Sequence, residues 1–263
     1  VLTHYVRGEG VECVGHNGLL GVCFLNKRVH SLFMFDRLSV VIPAYNEEKR
    51  LPGTLEHTVR YLNDNVKEWE LLVVEDGSTD NTAQVVETFA QRYPQVRLLS
   101  YPFNKGKGWA VKQGVLNARY EPVLFMDADN ATPVSEVEKL FEFIDDYDIV
   151  VGVRDLSLIE RVQPFHRRVA GKMFKLISNV IVPHGFRDTQ CGFKLLKKKE
   201  YAHFITIPGF SFDVELLYVA KKKGLRIKEV GVRWMDKAFS KVNPLRHSFI
   251  MLKELFEIRR RWG

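Results

Sequence analysis

The sequence predicts an α/β fold: a twisted, mostly parallel sheet with helices on both faces. Two observations carry this expectation. From Leu38 onward, short apolar runs rich in Val, Ile and Leu alternate with amphipathic stretches, the pattern of strands buried on both faces and joined by helices. The chain also has 263 residues with 46% hydrophobic content, enough to bury one large core or two small ones. In such a sheet the ligand sits at the carboxyl ends of the strands, so the chemistry is to be read there.

In chain order, strands are expected at 38–43, 71–74, 96–99, 123–126 and 149–153. Helices are expected between them at 47–65, 79–93, 107–119 and 133–146. The pattern then changes, with a helix at 165–182, a strand at 192–196, a helix at 211–223 and a strand at 226–234 bearing Arg226, Lys228 and Arg233. No Pro/Gly/Ser-rich linker and no repeat separates the halves, so residues 38–240 read as one unit. Residues 241–263 read as a C-terminal basic amphipathic helix. Its apolar stripe is Leu245, Phe249, Leu252, Phe256 and Trp262, flanked by Arg246, Lys253 and Arg259 to Arg261. Such a helix packs on its own domain, lies on a membrane surface or binds a partner, and the pattern leaves these open. Residues 1–37 show no signal-peptide pattern and no amphipathic period, and are expected to be a poorly ordered extension. Met34 is a candidate natural start.

Composition narrows the function classes. Disordered and fibrous chains are excluded. Cys13, Cys23 and Cys191 form no C-x-x-C pair and are odd in number, which points to a reducing cytosolic compartment rather than a disulfide scaffold or cysteine-rich zinc site. Apolar runs such as 18–25 fall far short of the roughly 20 residues a spanning helix needs, so the chain is expected to be soluble or membrane-surface bound. Net charge is +7, unevenly placed: residues 1–150 carry 15 basic and 22 acidic side chains, residues 151–263 carry 24 and 10. A basic C-terminal half suits nucleic acid, anionic lipid or a phosphorylated substrate.

The sharpest chemical signal is Asp127-Ala-Asp129, ending the apolar strand at 123–126. In an extended chain residues i and i+2 share a face, so both carboxylates can reach one hard cation, Mg2+ or Mn2+, and its bound phosphates. The second strand ends in Glu75-Asp76-Gly77, where Asp76 can accept from a nucleobase edge; Ser78 to Asp80 read as a cap of the next helix. The first ends in Pro43-Ala-Tyr45-Asn-Glu47, offering an aromatic face and a carboxylate. Asn104-Lys105-Gly-Lys107-Gly108 opens a helix with two lysines among glycines, suited to phosphate or ribose, though without P-loop spacing. His166, His184, His203 and His247 show no metal spacing and read as core or surface residues, and Cys191 as a small apolar group beneath the Asp188 loop.

As an ordered set, residues 40–48, 74–80, 104–108 and 127–129 resemble the family 2 glycosyltransferases, which have the GT-A fold. The resemblance covers about 38–240. It implies a nucleotide-diphosphosugar donor, with Pro43, Tyr45, Glu47 and Asp76 around base and ribose, Lys105 and Lys107 at the phosphates, Asp127 on the nucleotide and Asp129 on the metal. Gly152-Val-Arg154, Arg167-Arg168, Asp188-Thr-Gln-Cys-Gly-Phe-Lys194 and Phe212-Asp213-Val-Glu-Leu216 resemble its polyprenyl-phosphate branch, above all the dolichyl-phosphate β-glucosyltransferases. That likeness implies transfer of glucose from UDP-glucose to a polyprenyl or dolichyl phosphate held by Arg154, Arg167 and Arg168. Ala131 and Gly171 stand where mannosyl relatives carry a metal-binding glutamine and a serine, which weakens a GDP-mannose reading.

A lipid phosphate is ionised near neutral pH, because its second pKa is about 6, and needs no general base. Asp188 then orients the acceptor or sugar, or acts as base if the acceptor is a hydroxyl; Asp213 is the other carboxylate to weigh, and a structural salt bridge is open for both. Eukaryotic members of the group carry an N-terminal anchor that this sequence does not show, so membrane contact is expected from the C-terminal helix, an oligomer or a partner, on the cytoplasmic face. A homo-oligomer stays open. A nucleotidyltransferase would want a glycine- and arginine-rich activation loop, and a nucleic-acid-binding module a basic, aromatic-studded platform; neither pattern is present.

Overall fold

The structure is a computed structural model that describes residues 33–159, 165–235 and 244–263, and of residues 155–159, 165–172 and 244–248 the backbone alone. Seven strands form one sheet: β1 (Phe35–Ala44), β2 (Val66–Asp76), β3 (Val96–Tyr101), β4 (Val123–Met126), β5 (Ile149–Ile159), β6 (Phe193–Leu196) and β7 (Ile227–Trp234). Their order is β3-β2-β1-β4-β6-β5-β7, with β6 alone antiparallel to its neighbours β4 and β5.

Most of the expected 1–37 extension lies outside the described residues, but its end does not. Strand β1 begins at Phe35, paired with Val66. Polar residues hid the full lengths of β1 and β2. Arg37 pairs with Glu68 across the two strands, and Glu70 is buried because Ser39 Oγ (3.0 Å), the Arg119 amide (2.8 Å) and the Arg97 guanidinium all donate to it.

The helices are α1 (Leu51–Asn65), α2 (Thr82–Arg92), α3 (Lys107–Leu116), α4 (Val137–Phe141, after a 3-10 turn at Val134–Glu136), α5 (Phe165–Ile181), α6 (Phe212–Lys222) and α7 (Pro244–Trp262). Helix α1 starts later than its periodicity suggests because Pro52 stands in the first turn, where a missing N–H costs nothing. Helix α2 starts late for a different reason: Ser78 and Thr79 serve another partner, described below. Leu51, Leu55, Val59 and Leu62 of α1, Val86 of α2 and Val137 and Leu140 of α4 pack on one face of the sheet. Ala110, Val111 and Val115 of α3 and Phe212, Leu216 and Ala220 of α6 cover the other. The sheet is therefore buried on both sides, as its Val/Ile/Leu runs require.

A third cluster joins α7 to α6 and the end of α5, through Leu255, Ile258, Leu252 and Trp262 against Val182, Val214 and Tyr218. This corrects the expected stripe of α7. Leu252 and Trp262 do pack inward, but Phe249 and Phe256 are 61% and 62% exposed. The packing face is set by Leu255 and Ile258, which the expected stripe left out. Leu245 lies outside the residues whose side chains are described.

Candidate active site

The parallel register brings the carboxyl ends of β1, β2 and β4 together, since Val41 pairs with both Leu72 and Phe125. Strand β1 runs out through buried Pro43 to Tyr45, 45% exposed, and Asn46, whose left-handed φ of 55° suits an asparagine turn. The Asn46 amide donates to Ser78 Oγ (3.0 Å) and the Thr79 amide to Asn46 Oδ1 (2.8 Å). The Glu47 amide donates to Thr82 Oγ1 (2.8 Å), and the Thr82 amide to Asp80 Oδ1 (3.0 Å). The segment expected to cap α2 thus also clamps the β1 tip to the β2 tip.

Asp76 ends β2, almost fully buried, and accepts from the backbone amides of Lys105 (2.9 Å) and Gly106 (2.7 Å). Burial raises its pKa, and Glu75 adds to the rise against those two donors. Gly106 needs its positive φ of 105° to present that amide. Asp76 thereby shapes the loop that opens α3, a role its sequence position did not show. Lys105 Nζ lies 4.5 Å from the Trp109 ring centroid, and Lys107 Nζ donates to Asp127 Oδ1 at 2.6 Å.

Beyond β4 lie Asp127 and Asp129. Asp129 accepts from the Ala131 amide (3.0 Å), and its Oδ2 is 3.7 Å from Arg50, which also grips Glu47 through Nε (2.6 Å) and Nη2. Burial and then the Asp127 charge raise the Asp129 pKa, with Ala131, Arg50 and Lys107 opposing. Strand β6 closes the other flank. Because Met126 pairs with Phe193 in antiparallel register, the next residues outward, Asp127 and Gly192, face each other. A Cβ at Gly192 would fall inside 3 Å of both Asp127 oxygens.

Arg154 lies within β5, paired with Val232 of β7, at the same end of the sheet. Its Nε and Nη2 donate to Asp188 Oδ2 (2.7 Å) and Oδ1 (2.9 Å), a two-pronged pair, and its amide donates to Oδ2 (3.2 Å). Burial works against the Asp188 carboxylate, but Arg154 outweighs it and holds the pKa below the ordinary value. A carboxyl so held is a poor proton acceptor. Arg154 in turn feels the Asp127 charge, so this pair and the β4 tip share one field. Arg167 and Arg168 lie on α5, with side chains outside the described residues.

Sequence reasoning missed Arg50, and it gave Gly192 and Lys194 no role beyond their place in the 188–194 motif. Arg50 had only its spacing from Glu47 as a signal, whereas Lys194 interrupts the apolar run Phe193-Lys-Leu-Leu196 and was legible as an anomaly.

Among the described residues no group of three His, Cys, Asp or Glu side chains gathers to hold a metal. Two carboxylates are present, and they fit a hard divalent cation that completes its shell with phosphate and water. Burial first and the neighbouring Asp127 charge second raise the Asp129 pKa, and the next side chain, Asn130, has a buried Oδ1 without a hydrogen-bond partner among the described residues. The donor chemistry therefore suits Mg2+ or Mn2+.

Residues 39–204 match the model of the family described as glycosyl transferase family 2. The chain belongs to glycosyltransferase family 2. This glycosyltransferase is 38% identical over 240 residues to a dolichyl-phosphate β-glucosyltransferase of Trichomonas vaginalis, covering 82% of this chain and 72% of that one. The mouse protein of the same name is 37% identical over 245 residues, covering 86% of this chain and 76% of its own. Among solved structures, glucosyl-3-phosphoglycerate synthase of Mycobacterium tuberculosis in complex with UDP superposes with a TM-score of 0.63 at 21% identity, covering 86% of this chain and 79% of that one. The same synthase has been solved with Mn2+, UDP and glucosyl-3-phosphoglycerate (TM-score 0.63, 20% identity). These likenesses establish the GT-A fold.

Proposed function

We propose that this glycosyltransferase moves glucose from UDP-glucose to dolichyl phosphate, with inversion at the anomeric carbon and with Mg2+ or Mn2+ bound at Asp129. The observation that carries the reading is the pairing at one sheet end of a two-carboxylate tip, Asp127 and Asp129, with the cations Lys107 and Arg154. Such a set receives a diphosphate and a second phosphate side by side. The two dolichyl-phosphate β-glucosyltransferases, at 37–38% identity, support glucose as the sugar and dolichyl phosphate as the acceptor.

In this reading Tyr45 and Pro43 face the base, Asp76 and Glu47 border base and ribose, and Lys105 and Lys107 contact the diphosphate. Asp127 contacts the nucleotide. The metal supplies charge neutralisation on the leaving diphosphate. Arg154, with Arg167 and Arg168, holds the acceptor phosphate, and one of its oxygens forms the new bond to the anomeric carbon as the carbon–oxygen bond to the nucleoside diphosphate breaks. The bonding pair leaves with UDP, where the lysines stabilise it. A phosphate monoester with its second pKa near about 6 is already ionised, so no general base is required. Asp188 orients Arg154 rather than abstracting a proton.

We place the enzyme peripherally on the cytoplasmic face of a membrane. Among the described residues no helix is long and apolar enough to cross one. What supports surface contact is the exposure of Phe249, Ile250 and Phe256 on α7 and of Met173, Leu176 and Val180 on the packed neighbour α5, beside Lys175 and Lys253.

The deciding experiment is transfer of labelled sugar from UDP-glucose, and in parallel GDP-mannose, to dolichyl phosphate with Mn2+. It includes Asp129→Asn and a chelator control. Organic-extractable label that appears with UDP-glucose and vanishes in both controls is the expected result. A water-soluble conjugate instead would overturn the lipid acceptor, and label from GDP-mannose alone would overturn the donor.

A further inference from the structure

The Lys107 ammonium is bonded to one carboxylate and attracted by a second. It donates to Asp127 at 2.6 Å, and Asp213, near the start of α6, is a second acid whose charge acts on it. Asp213 is only 3% exposed and is bonded to Lys194 Nζ. Lys194 is wholly buried on β6, where its Nζ also donates to the Cys191 carbonyl at 2.7 Å and lies 5.2 Å from the Phe125 ring centroid.

The charges therefore alternate inward from the site: Asp127, Lys107, Asp213, Lys194. The last two have no route to a substrate, because both lie under the packed interface of α3, α6 and the sheet. Burying such a pair gains little stability over apolar side chains of similar size, so stability alone is a weak reason for its presence. Its placement supplies a better one. Lys194 anchors the carbonyl of Cys191, and the next residue, Gly192, faces Asp127; the Asp213 charge attracts Lys107, which bonds the same Asp127.

We propose that Asp213 and Lys194 are positioning residues for the donor site: Lys194 fixes Asp213, Asp213 fixes the Lys107 ammonium, and the pair so sets both Lys107 and the Asp127 carboxylate for a nucleoside diphosphate. The inference rests on the donor reading above. It also removes Asp213 from the candidate bases, since it touches no reacting group.

Two measurements test it on the full chain. The first is the 15N–1H signal of the Lys107 ammonium, assigned by its loss in Lys107→Met. A fixed, paired ammonium gives a visible signal that Asp213→Asn broadens or removes; a wild-type signal lost to exchange, or one unchanged in Asp213→Asn, overturns the proposal. The second is calorimetric binding of UDP with MnCl2, beside the melting temperature. Asp213→Asn weakens UDP binding about tenfold or more, as loss of an ordered charged contact does, and adds nothing in a Lys107→Met background. The double variant Lys194→Met with Asp213→Leu separates positioning from structure. It recovers the melting temperature but keeps the weakened UDP binding; recovery of both would reduce the pair to packing and overturn the proposal. If the wild type binds neither UDP nor GDP, the donor reading falls, while the Lys107 signal still decides the positioning claim.

Discussion

Replacing Gly192 by alanine isolates the position of one carboxylate from the stability of the fold. The added Cβ would lie inside 3 Å of both Asp127 oxygens, and ordinary contact begins near 3.4 Å, so the carboxylate must withdraw by about 1 Å. The atoms it meets are the end of a side chain rather than backbone, so the fold relaxes at a cost below about 1 kcal/mol. A misplacement of about 1 Å in a catalytic group costs about 10²-fold in rate, or about 2.7 kcal/mol of transition-state stabilisation. Gly114→Ala is the converse control. Its Cβ meets the side chains of Val41 and Val74 between α3 and the sheet, an overpacking that costs about 1–3 kcal/mol of stability away from the site. The assay is kcat/KM for glucose transfer from UDP-glucose to dolichyl phosphate, with the melting temperature of each variant alongside. The expected result is a weak but stable Gly192→Ala and a less stable but active Gly114→Ala. Wild-type kcat/KM in Gly192→Ala, or a loss of activity that merely tracks its melting temperature, would refute the reasoning.

Asp188→Asn keeps the shape of the Arg154 pair and removes its charge, so the KM for the lipid phosphate should rise about tenfold with the donor KM little changed; disappearance of an acidic limb from the pH–rate profile would instead make Asp188 a base. His184 gives a pH signature of stability. Its Nδ1 accepts from the Phe186 amide (3.0 Å), its Nε2 faces Ser178 Oγ (3.3 Å), and burial, then Lys221 and Lys175, push its pKa down to about 4 from 6.5. The unfolded chain takes up that proton first as pH falls, so stability is intact above about 6.5 and declines by on the order of 3 kcal/mol toward pH 4. Denaturant titrations of wild type and His184→Asn should diverge across that window, and parallel curves would contradict the assignment. Phe249→Ser with Phe256→Ser removes two rings that are already exposed, so the melting temperature should hold while retention on anionic vesicles falls about 10²-fold or more. Unchanged retention would move membrane contact elsewhere.

The fold was legible wherever an element's apolar period was also its packing period. Strand β4 matches its expected bounds for that reason, and α5 and β6 differ by a single residue. Where polar residues lie inside an element, the pattern understated it: Glu70 sits in the middle of β2 because Ser39, Arg97 and Arg119, all distant in sequence, satisfy it. The site shows the same division. Asp127, Asp129, Asp76 and Lys107 were readable because strand ends in a parallel sheet converge by topology. What each carboxylate bonds was not readable, since the partners of Asp76 and Asp188 lie 29 to 34 residues away. The face of α7 was misread because Phe249 and Phe256 fit a helical period as well as Leu255 and Ile258 do, and only the packing of α6 against the latter pair decides between them.

The uneven charge of the sequence acquires a cause at the junction of β4 and β6. Strands β1 to β4 come from the acidic half and end in Glu75, Asp76, Asp127 and Asp129, whereas β6, β7 and most of β5 come from the basic half and bring Lys194 and Arg154 to the same end of the sheet. A parallel crossover alone would leave β5 beside β4. Inserting the antiparallel β6 instead starts a strand where β4 ends, so that Gly192 closes against Asp127 while Lys194, two residues on, points to the helix face that carries Asp213. In the proposed reaction both reactants carry phosphates, and a site built only from the acidic tips would need the bound cation to offset all of that charge. Drawing cations from the second half to the first half's carboxylates lets one end of the sheet receive two anionic groups while Asp127, Asp188 and Asp213 each keep an opposite charge beside them.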